Sequence, residues 1–317
     1  YWINYRNLRE NKKDRFMLNA SLSYDILDWL SVSGRVRMDQ SITKYTEKFY
    51  ASTFTQLTEL SQNGLYGISS MTDRQVYADA LLNINKRFGD DWSFQANIGA
   101  SISDMSYDAM KNRGPIADGL ITDEKPGLAN VFNIQNLSNS PKTQRMQEGW
   151  REQTQSVFGS AEVGYKGTYY LTLTARNDWP SQLAGPHSNR KSFFYPSVGL
   201  SVVLSEIIPN MPENLEYIKL RGSYASVGTA FERYIANPMY QWNSSGLSWN
   251  TQTQYPMYDL KPELTNSFEV GLTVRFLKWF NLDATYYHTY TLNQTFNPHI
   301  CTGSGSSEIY IQSGDVL

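Results

Sequence analysis

Cysteine, histidine and long apolar runs are all scarce in this sequence of 317 residues. The one cysteine, Cys301, excludes an intramolecular disulfide framework and any metal site built on several cysteines. Charged residues make up 18% of the chain and sum to a net charge of −2, so the basic excess that nucleic-acid binding requires is missing. No run of about 18 apolar residues is present, which excludes a membrane-spanning helix.

Aromatic residues, by contrast, are abundant, and apolar residues alternate with polar ones over many short segments. The aromatic content of 14% excludes disorder. Alternation with a period of two places the apolar residues on one face of a β-sheet and fits a helix poorly. It predicts ten antiparallel strands, each about 9–12 residues long and able to cross a hydrocarbon core when tilted. They fall at 16–25, 30–39, 76–85, 92–102, 157–165, 169–177, 194–204, 218–226, 268–276 and 280–290, and a further alternating run begins at 306.

The connections between these segments alternate between short and long. Short connections lie at 25–28, 89–91, 166–168 and 277–279, and a medium one at 205–217 falls on the same side. The long segments are 40–75, 104–156, 178–193 and 229–267. Outer-membrane barrels have short periplasmic turns at one rim and long extracellular loops at the other. A soluble β-sandwich has no reason to sort its loops in this way, although the periodicity alone leaves it open.

Aromatic residues also cluster beside the short connections. The cluster comprises Tyr24, Trp29, Phe88, Trp92, Tyr165, Tyr169, Phe276, Trp279 and Phe280. Such a girdle is typical of a membrane interface, although aromatic residues beside a hairpin also form cross-strand pairs. We therefore predict an all-β transmembrane wall in the cell outer membrane, with Leu18, Leu22, Val32 and Val36 facing lipid.

Charged residues of the predicted strands fall mainly on the opposite face, which lines a polar lumen in a barrel. The candidate lumen-lining residues are Arg35, Arg37, Arg176, Asp178, Arg221 and Arg275. We expect them to form charge pairs that brace the wall or a plug within it, and direct contact with a ligand is the alternative.

Residues that would carry catalysis or hold a metal ion are thinly spread. His187, His288 and His299 are isolated, and neither the His-x-x-x-His nor the Glu-x-x-His spacing of metal sites occurs. The run Gly303–Ser306 is too short for a dinucleotide-binding fingerprint and reads as a flexible loop. We predict no catalytic residues, no metal site and no cofactor.

The long segment 229–267 carries a binding chemistry instead, because it concentrates aromatic and amide side chains. The candidate binding residues are Tyr240, Trp242, Asn243, Trp249, Asn250 and Tyr258. Flat rings against the apolar face of a sugar, with amides meeting its hydroxyls, would form a carbohydrate-binding surface. The same mixture suits a protein interface, since Tyr and Trp anchor many interfaces.

Six sequence blocks, matching in order and spacing from Asp14 onward, resemble the SusC/RagA family of TonB-dependent outer-membrane transporters. They are 28–35 (Asp-Trp-Leu-Ser-Val-Ser-Gly-Arg), 176–179 (Arg-Asn-Asp-Trp) followed by Ser181 and Leu183, 194–201 (Phe-Tyr-Pro-Ser-Val-Gly-Leu-Ser), 219–228 (Lys-Leu-Arg-Gly-Ser-Tyr-Ala-Ser-Val-Gly), 260–265 (Leu-Lys-Pro-Glu-Leu-Thr) and 283–287 (Asp-Ala-Thr-Tyr-Tyr). Pro180 departs from the family pattern, where a serine follows the tryptophan. In a weaker seventh block, Gln312 and Ser313 replace the usual Asn and Ala.

The resemblance implies a barrel of 22 strands, of which residues 1–317 form about ten as part of one domain. The family's N-terminal plug, TonB box and last strands are expected outside this sequence. It also implies a transporter rather than an enzyme, with a SusD-like surface lipoprotein as its lid and the TonB–ExbB–ExbD complex acting through the absent parts. The segment 229–267 would then contact ligand, lid or both.

The expected cargo is an oligomeric nutrient, and we favour a glycan. Import of oligopeptides by a member of the same family is the close alternative. A self-contained ten-stranded outer-membrane hydrolase and a barrel-anchored adhesin are alternatives from other functional classes.

Overall fold

The computed structural model describes residues 6–122, 125–184, 192–212, 214–235, 240, 242–243, 248–249, 254–255, 261–301, 303 and 305–312. Its main element is a ten-stranded antiparallel sheet in which each strand pairs with the strands next to it in sequence. The strands are β1 (Leu8–Leu27), β2 (Leu30–Tyr50), β3 (Gly64–Phe88), β4 (Trp92–Pro115), β5 (Gln144–Tyr165), β6 (Tyr169–Pro180), β7 (Phe193–Val203), β8 (Leu215–Thr229), β9 (Glu263–Phe276) and β10 (Phe280–Leu292). The number, order and approximate positions of the predicted strands are therefore confirmed.

The predicted strand length is wrong for the first five strands, which contain 20, 21, 25, 24 and 22 residues. Pairing between β3 and β4 runs without interruption from Phe88↔Trp92 to Leu65↔Pro115. Apolar alternation marks a strand only where one face meets an apolar environment, and the far halves of these strands are polar on both faces. As a result, two predicted long segments shrink to loops 51–63 and 116–143.

The short connections are tight turns, as predicted. They lie at Asp28–Trp29, 89–91, 166–168 and 277–279. Positive φ values reverse the chain at Lys166 (54°) and Gly167 (65°), and again at Leu277 (55°) and Lys278 (61°). Aromatic rings flank these turns, with Trp92 and Tyr165 4.5 Å apart and Phe276 and Phe280 5.3 Å apart between ring centroids.

The sheet has one apolar and one polar face, and no element in the described part of the chain covers the apolar face. Leu18, Leu22, Val32 and Val36 lie on it, and Leu22 is 77% exposed. A soluble sandwich would cover such a face with a second sheet, because exposed large side chains forgo about 1.5–3 kcal/mol each in water. The single uncovered layer therefore argues against the sandwich.

Two clusters of buried apolar residues lie at the loop end of the wall, where strand ends meet loops. One cluster contains Leu183, Phe193, Phe231 and Ile235. A second cluster contains Tyr66, Ile116 and Leu137, where loops 51–63 and 116–143 pack together. Asp118 supports that packing by accepting hydrogen bonds from the backbone N–H groups of Gln62 (2.9 Å) and Asn63 (3.0 Å).

Short elements complete the described structure. The paired segments are Leu120–Thr122 with Lys125–Pro126, Trp242–Asn243 with Ser248–Trp249, Gln254–Tyr255 with Glu308–Ile309, and Thr295–Phe296 with Ile311–Gln312. Single 3₁₀ turns occur at Ile134–Asn136, Ser181–Leu183 and Leu204–Glu206. The alternating run that begins at 306 adds no strand to the ten-stranded sheet within 308–312, where Glu308–Ile309 and Ile311–Gln312 pair with loop segments.

Among the described residues, no helix is long and apolar enough to cross a membrane. Within the same ranges, no group of three or more His, Cys, Asp or Glu side chains is placed to hold a metal ion.

Candidate functional site

Three separate ion-pair networks on the polar face contain candidate lumen residues, and each network spans neighbouring strands. The first joins β2 to β3, where Arg35 Nη2 lies 2.9 Å from Asp79 Oδ2 and Arg35 Nε donates to Asp79 Oδ1 at 3.0 Å. The Asp79 side chain is completely buried, whereas that of Arg35 is about half exposed. The guanidinium therefore covers a carboxylate that has no access to water.

The second network centres on Arg176 of β6. Its Nε donates to Asp178 Oδ1 at 2.7 Å, and its Nη2 donates to Ser156 Oγ on β5 at 2.9 Å. The Tyr195 hydroxyl on β7 donates to the other Asp178 oxygen. The guanidinium also lies over the Phe158 ring, 5.4 Å from its centroid.

The third network spans β8, β9 and β10. Arg221 Nη2 lies 2.8 Å from Asp283 Oδ1, and the Thr273 hydroxyl donates to Asp283 Oδ2 at 2.9 Å. The Arg221 side chain reaches Asp283 by lying across Gly271, where a Cβ atom would come within 2.4 Å of Arg221 Nε. The glycine leaves room for the arginine there, because a side chain at position 271 would displace the Arg221 guanidinium.

The remaining candidate lumen residues share this face. Arg37 pairs across β2 and β3 with Tyr77, two residues from Arg35 in the same register. Arg275 lies over the Tyr217 ring at 5.8 Å. All six predicted residues thus lie on the polar face, and their lining of a lumen stays a prediction. The sequence reasoning missed Asp79 as the partner of Arg35, because the register of β2 on β3 sets this pairing across loop 51–63.

A pocket of about 1320 Å³ opens at the loop end of the wall. Tyr234, Tyr240 and Trp249 line one side of it, and all three are exposed. Residues 145–150 and Glu152 of β5 line the other side, together with Tyr107, Gln182 and Gln254. Three aromatic residues of the predicted binding segment 229–267 thereby lie against the polar end of the sheet.

Arg233 attaches the long segment 229–267, called the aromatic segment below, to the end of β5. Its guanidinium carbon lies 3.7 Å from the centroid of the Trp150 ring, and its Nη1 lies 2.8 Å from Glu152 Oε2. Glu152 also accepts from Gln182 Nε2 at 3.2 Å. The adjacent buried cluster with Phe231 holds the same segment from its apolar side.

A second ion pair stiffens the β4–β5 hairpin behind the pocket. Lys111 Nζ lies 2.6 Å from Glu148 Oε1. The hydrogen bond to Glu148 raises the pKa of Lys111 above its ordinary value. Because a raised lysine pKa favours the charged form, the Lys111 ammonium stays charged at neutral pH.

The other predicted binding residues are only partly covered by the structure. Trp242 pairs with Trp249 and Asn243 with Ser248 in a two-stranded hairpin. Asn250 and Tyr258 lie outside the described residues. The sequence reasoning missed Tyr107, Trp150, Glu152 and Arg233, since they belong to polar strand ends without alternation and to the anchor of the loop.

The wall therefore combines one uncovered apolar face, tight turns at one end and structured loops at the other, which defines part of an outer-membrane β-barrel. A family model described as "TonB dependent receptor-like, beta-barrel" matches residues 1–316. The chain belongs to this family, whose members are outer-membrane receptors and transporters rather than enzymes.

Solved structures agree with this assignment. The RagAB peptide importer in its open-open state superposes with a TM-score of 0.82 at 14% identity, covering 99% of this chain and 33% of that one. Its closed-closed state gives a TM-score of 0.81 at 15% identity, covering 98% and 33%. BauA, the ferric preacinetobactin receptor from Acinetobacter baumannii, gives 0.52 at 17% identity, covering 97% and 41%.

These likenesses concern the fold, and the chain spans about a third of the RagAB chain that it matches. No curated protein matches the chain significantly in sequence. The family match confirms a TonB-dependent receptor barrel, and the fold shared with RagAB is consistent with the SusC/RagA resemblance of the sequence blocks.

Proposed function

We propose that the protein containing this chain imports a neutral oligomeric nutrient, a glycan, across the outer membrane by TonB-dependent transport. In this proposal the pocket beside Tyr240 and Trp249 takes part in capture of the ligand at the cell surface. The polar face with Arg35, Arg176 and Arg221 lines the path through the barrel. A SusD-like surface lipoprotein closes over the mouth, and the TonB–ExbB–ExbD complex acts through parts of the protein outside this chain.

The observation that carries the choice of a glycan is the pairing of charges around the pocket. Arg233 is paired with Glu152, Glu148 with Lys111, and Arg145 Nη2 donates to Asn139 Oδ1 at 3.1 Å. Apart from the exposed Glu232, the charged groups of the lining are thus already engaged, and a charged ligand would have to displace these partners. Exposed rings and amide groups also line the pocket, and they suit a ligand with apolar ring faces and many hydroxyls.

The polar face supports transport of a hydrophilic cargo. Its guanidinium and carboxylate groups are joined within the wall, and threonine hydroxyls surround Asp283. A lumen lined in this way presents hydrogen-bonding groups without a large net charge. An uncharged polar oligomer would therefore cross the lumen without being held by strong electrostatic attraction to the wall.

Oligopeptide import is the second candidate, because the chain shares its fold with RagAB, a peptide importer. A peptide carries charged termini as well as rings and amides. Its recognition would depend on the pocket's guanidinium and carboxylate groups more than on its exposed rings.

The test compares Tyr240→Ala/Trp249→Ala with Phe54→Ala in the full-length transporter. Phe54 is an exposed loop aromatic outside the pocket. Binding of neutral oligosaccharides and of oligopeptides is measured by calorimetry, and growth on each nutrient is followed in parallel. The double variant should lose about tenfold or more in oligosaccharide affinity, since two contact rings are removed. Loss of peptide binding with unchanged oligosaccharide binding would replace the glycan by a peptide, and unchanged binding of both would remove the pocket from ligand capture.

A further inference from the structure

The apolar face of the wall contains a groove that the import function does not use. Three alanines on neighbouring strands form its floor, and larger side chains form its sides. The residues are Ala78, Ala80 and Ala100 for the floor and Ile102, Val157 and Trp179 for the sides. The groove encloses about 460 Å³ and is predominantly apolar.

Strand register explains why the groove forms there. Ala80 pairs with Ala100, which pairs on its other side with Val157. Small residues therefore lie side by side on β3 and β4, and the wall is thin between the larger side chains. The groove runs along the strands towards the loop end, where Gln155 pairs with Trp179.

A polar cluster begins directly above the groove on the same three strands. Two residues farther along each strand, Val76 pairs with Asp104, which pairs with Gln153. Two residues beyond these, Arg74 pairs with Ser106, which pairs with Arg151. Arg151 Nη2 lies 2.7 Å from Asp104 Oδ2, and Gln153 Nε2 donates to the same oxygen at 3.0 Å. Gln155 Nε2 donates in turn to Gln153 Oε1 at 3.2 Å.

The cluster has an excess of positive charge on an exposed surface. Two guanidinium groups, from Arg74 and Arg151, face one carboxylate, from Asp104. The Arg151 side chain is 71% exposed, and Arg74 is exposed and forms no ion pair with any described residue. Exposed guanidinium groups bind phosphate through paired N–H donors.

We infer that this part of the wall binds one phosphorylated glycolipid of the outer leaflet, with an acyl chain in the groove and a phosphate on Arg74 and Arg151. The groove is continuous with the lipid-facing surface of the barrel, so its occupant comes from the membrane. It reaches the long-loop end, which is the extracellular rim in outer-membrane barrels. Gln153 and Gln155 lie where sugar hydroxyl and amide groups of the headgroup would meet the wall, and Trp179 lies at the interface level.

The experiment uses the full-length protein reconstituted into nanodiscs that contain lipid A and phosphatidylethanolamine. After return to detergent, retained lipid is counted by native mass spectrometry. Arg74→Gln/Arg151→Gln removes the phosphate donors, and Ala100→Phe fills the groove from the lipid side, where a larger side chain meets no protein core. Lys12→Gln/Lys44→Gln is the control, because these lysines pair on the apolar-face side of β1 and β2, away from the groove.

The wild-type protein and the lysine control should retain one lipid A molecule per chain. The arginine and Ala100 variants should retain about tenfold less, since each removes one half of the site. Failure of the wild type to retain lipid A would overturn the inference. Equal loss in the lysine control, or equal retention of phosphatidylethanolamine, would also overturn it, because binding would then reflect general charge or ordinary boundary lipid.

Discussion

Asp79 shows how a single residue of the wall depends on its cross-strand neighbour. Its side chain is completely buried, and Arg35 supplies its ion-pair partner. A buried carboxylate without a partner keeps the desolvation penalty and loses the compensating attraction. Arg35 and Asp79 therefore stabilise the wall only when both side chains are present.

The first prediction at this scale concerns Arg35→Met, which leaves Asp79 buried and unpaired. The full-length protein should lose about 1–3 kcal/mol of stability, below the largest values for buried pairs because Arg35 is half exposed. Thermal unfolding in detergent measures the loss.

Arg35→Met/Asp79→Leu provides the matched comparison, since it removes both charges. It should regain at least half of the lost stability, because no orphaned charge remains. A single variant as stable as the wild type, or a double variant no better than the single, would show that the pair does not brace the wall.

At the scale of elements, contacts join the extended strand ends to loop residues 230–235. β4 and β5 continue their pairing to Arg113↔Gln144, far past the apolar band. The aromatic segment is attached to this extension by Arg233 and by the cluster around Phe231. Its rings are thus presented from a fixed base, which lowers the ordering cost of binding a ligand.

The prediction for this element is that Arg233→Ala loosens the attachment. A cation–π contact and an ion pair are lost together, worth about 1–2 kcal/mol at a partly exposed site. Limited proteolysis of the full-length protein should therefore cut between residues 229 and 262 about tenfold faster, since cleavage follows local opening.

Arg87→Ala serves as the control, because Arg87 is exposed beside a tight turn at the other end of the wall. Its cleavage pattern should match the wild type. Equal cleavage rates in the Arg233 variant and the wild type would mean that the apolar cluster alone holds the segment.

At the scale of the whole molecule, the sheet has two open edges. β1 pairs only with β2, and β10 pairs only with β9 among the described strands. An unpaired backbone N–H or C=O group costs several kcal/mol in hydrocarbon, so a membrane sheet closes or finds further strands. Residues 1–317 are therefore predicted to be part of one larger barrel domain.

Residues 1–317 expressed alone should consequently fail to form a stable outer-membrane barrel. Heat-modifiable migration and protease resistance in outer-membrane fractions are the measurements, with the full-length protein as the positive control. Recovery of a heat-modifiable ten-stranded monomer would instead establish a self-contained barrel.

Local patterns in the sequence were sufficient to predict the number and order of the strands, the two faces of the sheet and the tight turns. Alternation through Leu18 and Leu22 reflects one lipid-facing side chain every second residue, which is a property of a few neighbouring residues. The same period of two predicted that Arg35, Arg176 and Arg221 lie on the opposite face.

Only the tertiary structure decided the strand lengths, the partners of the charges and the pocket. The far halves of β1 to β5 lose their alternation because both faces are polar, so no local signal marks them. Asp79 lies 44 residues from Arg35, and Glu152 lies 81 residues from Arg233. Such pairs, and the groove beneath Arg74 and Arg151, depend on the register of strands that meet only when the whole wall has formed.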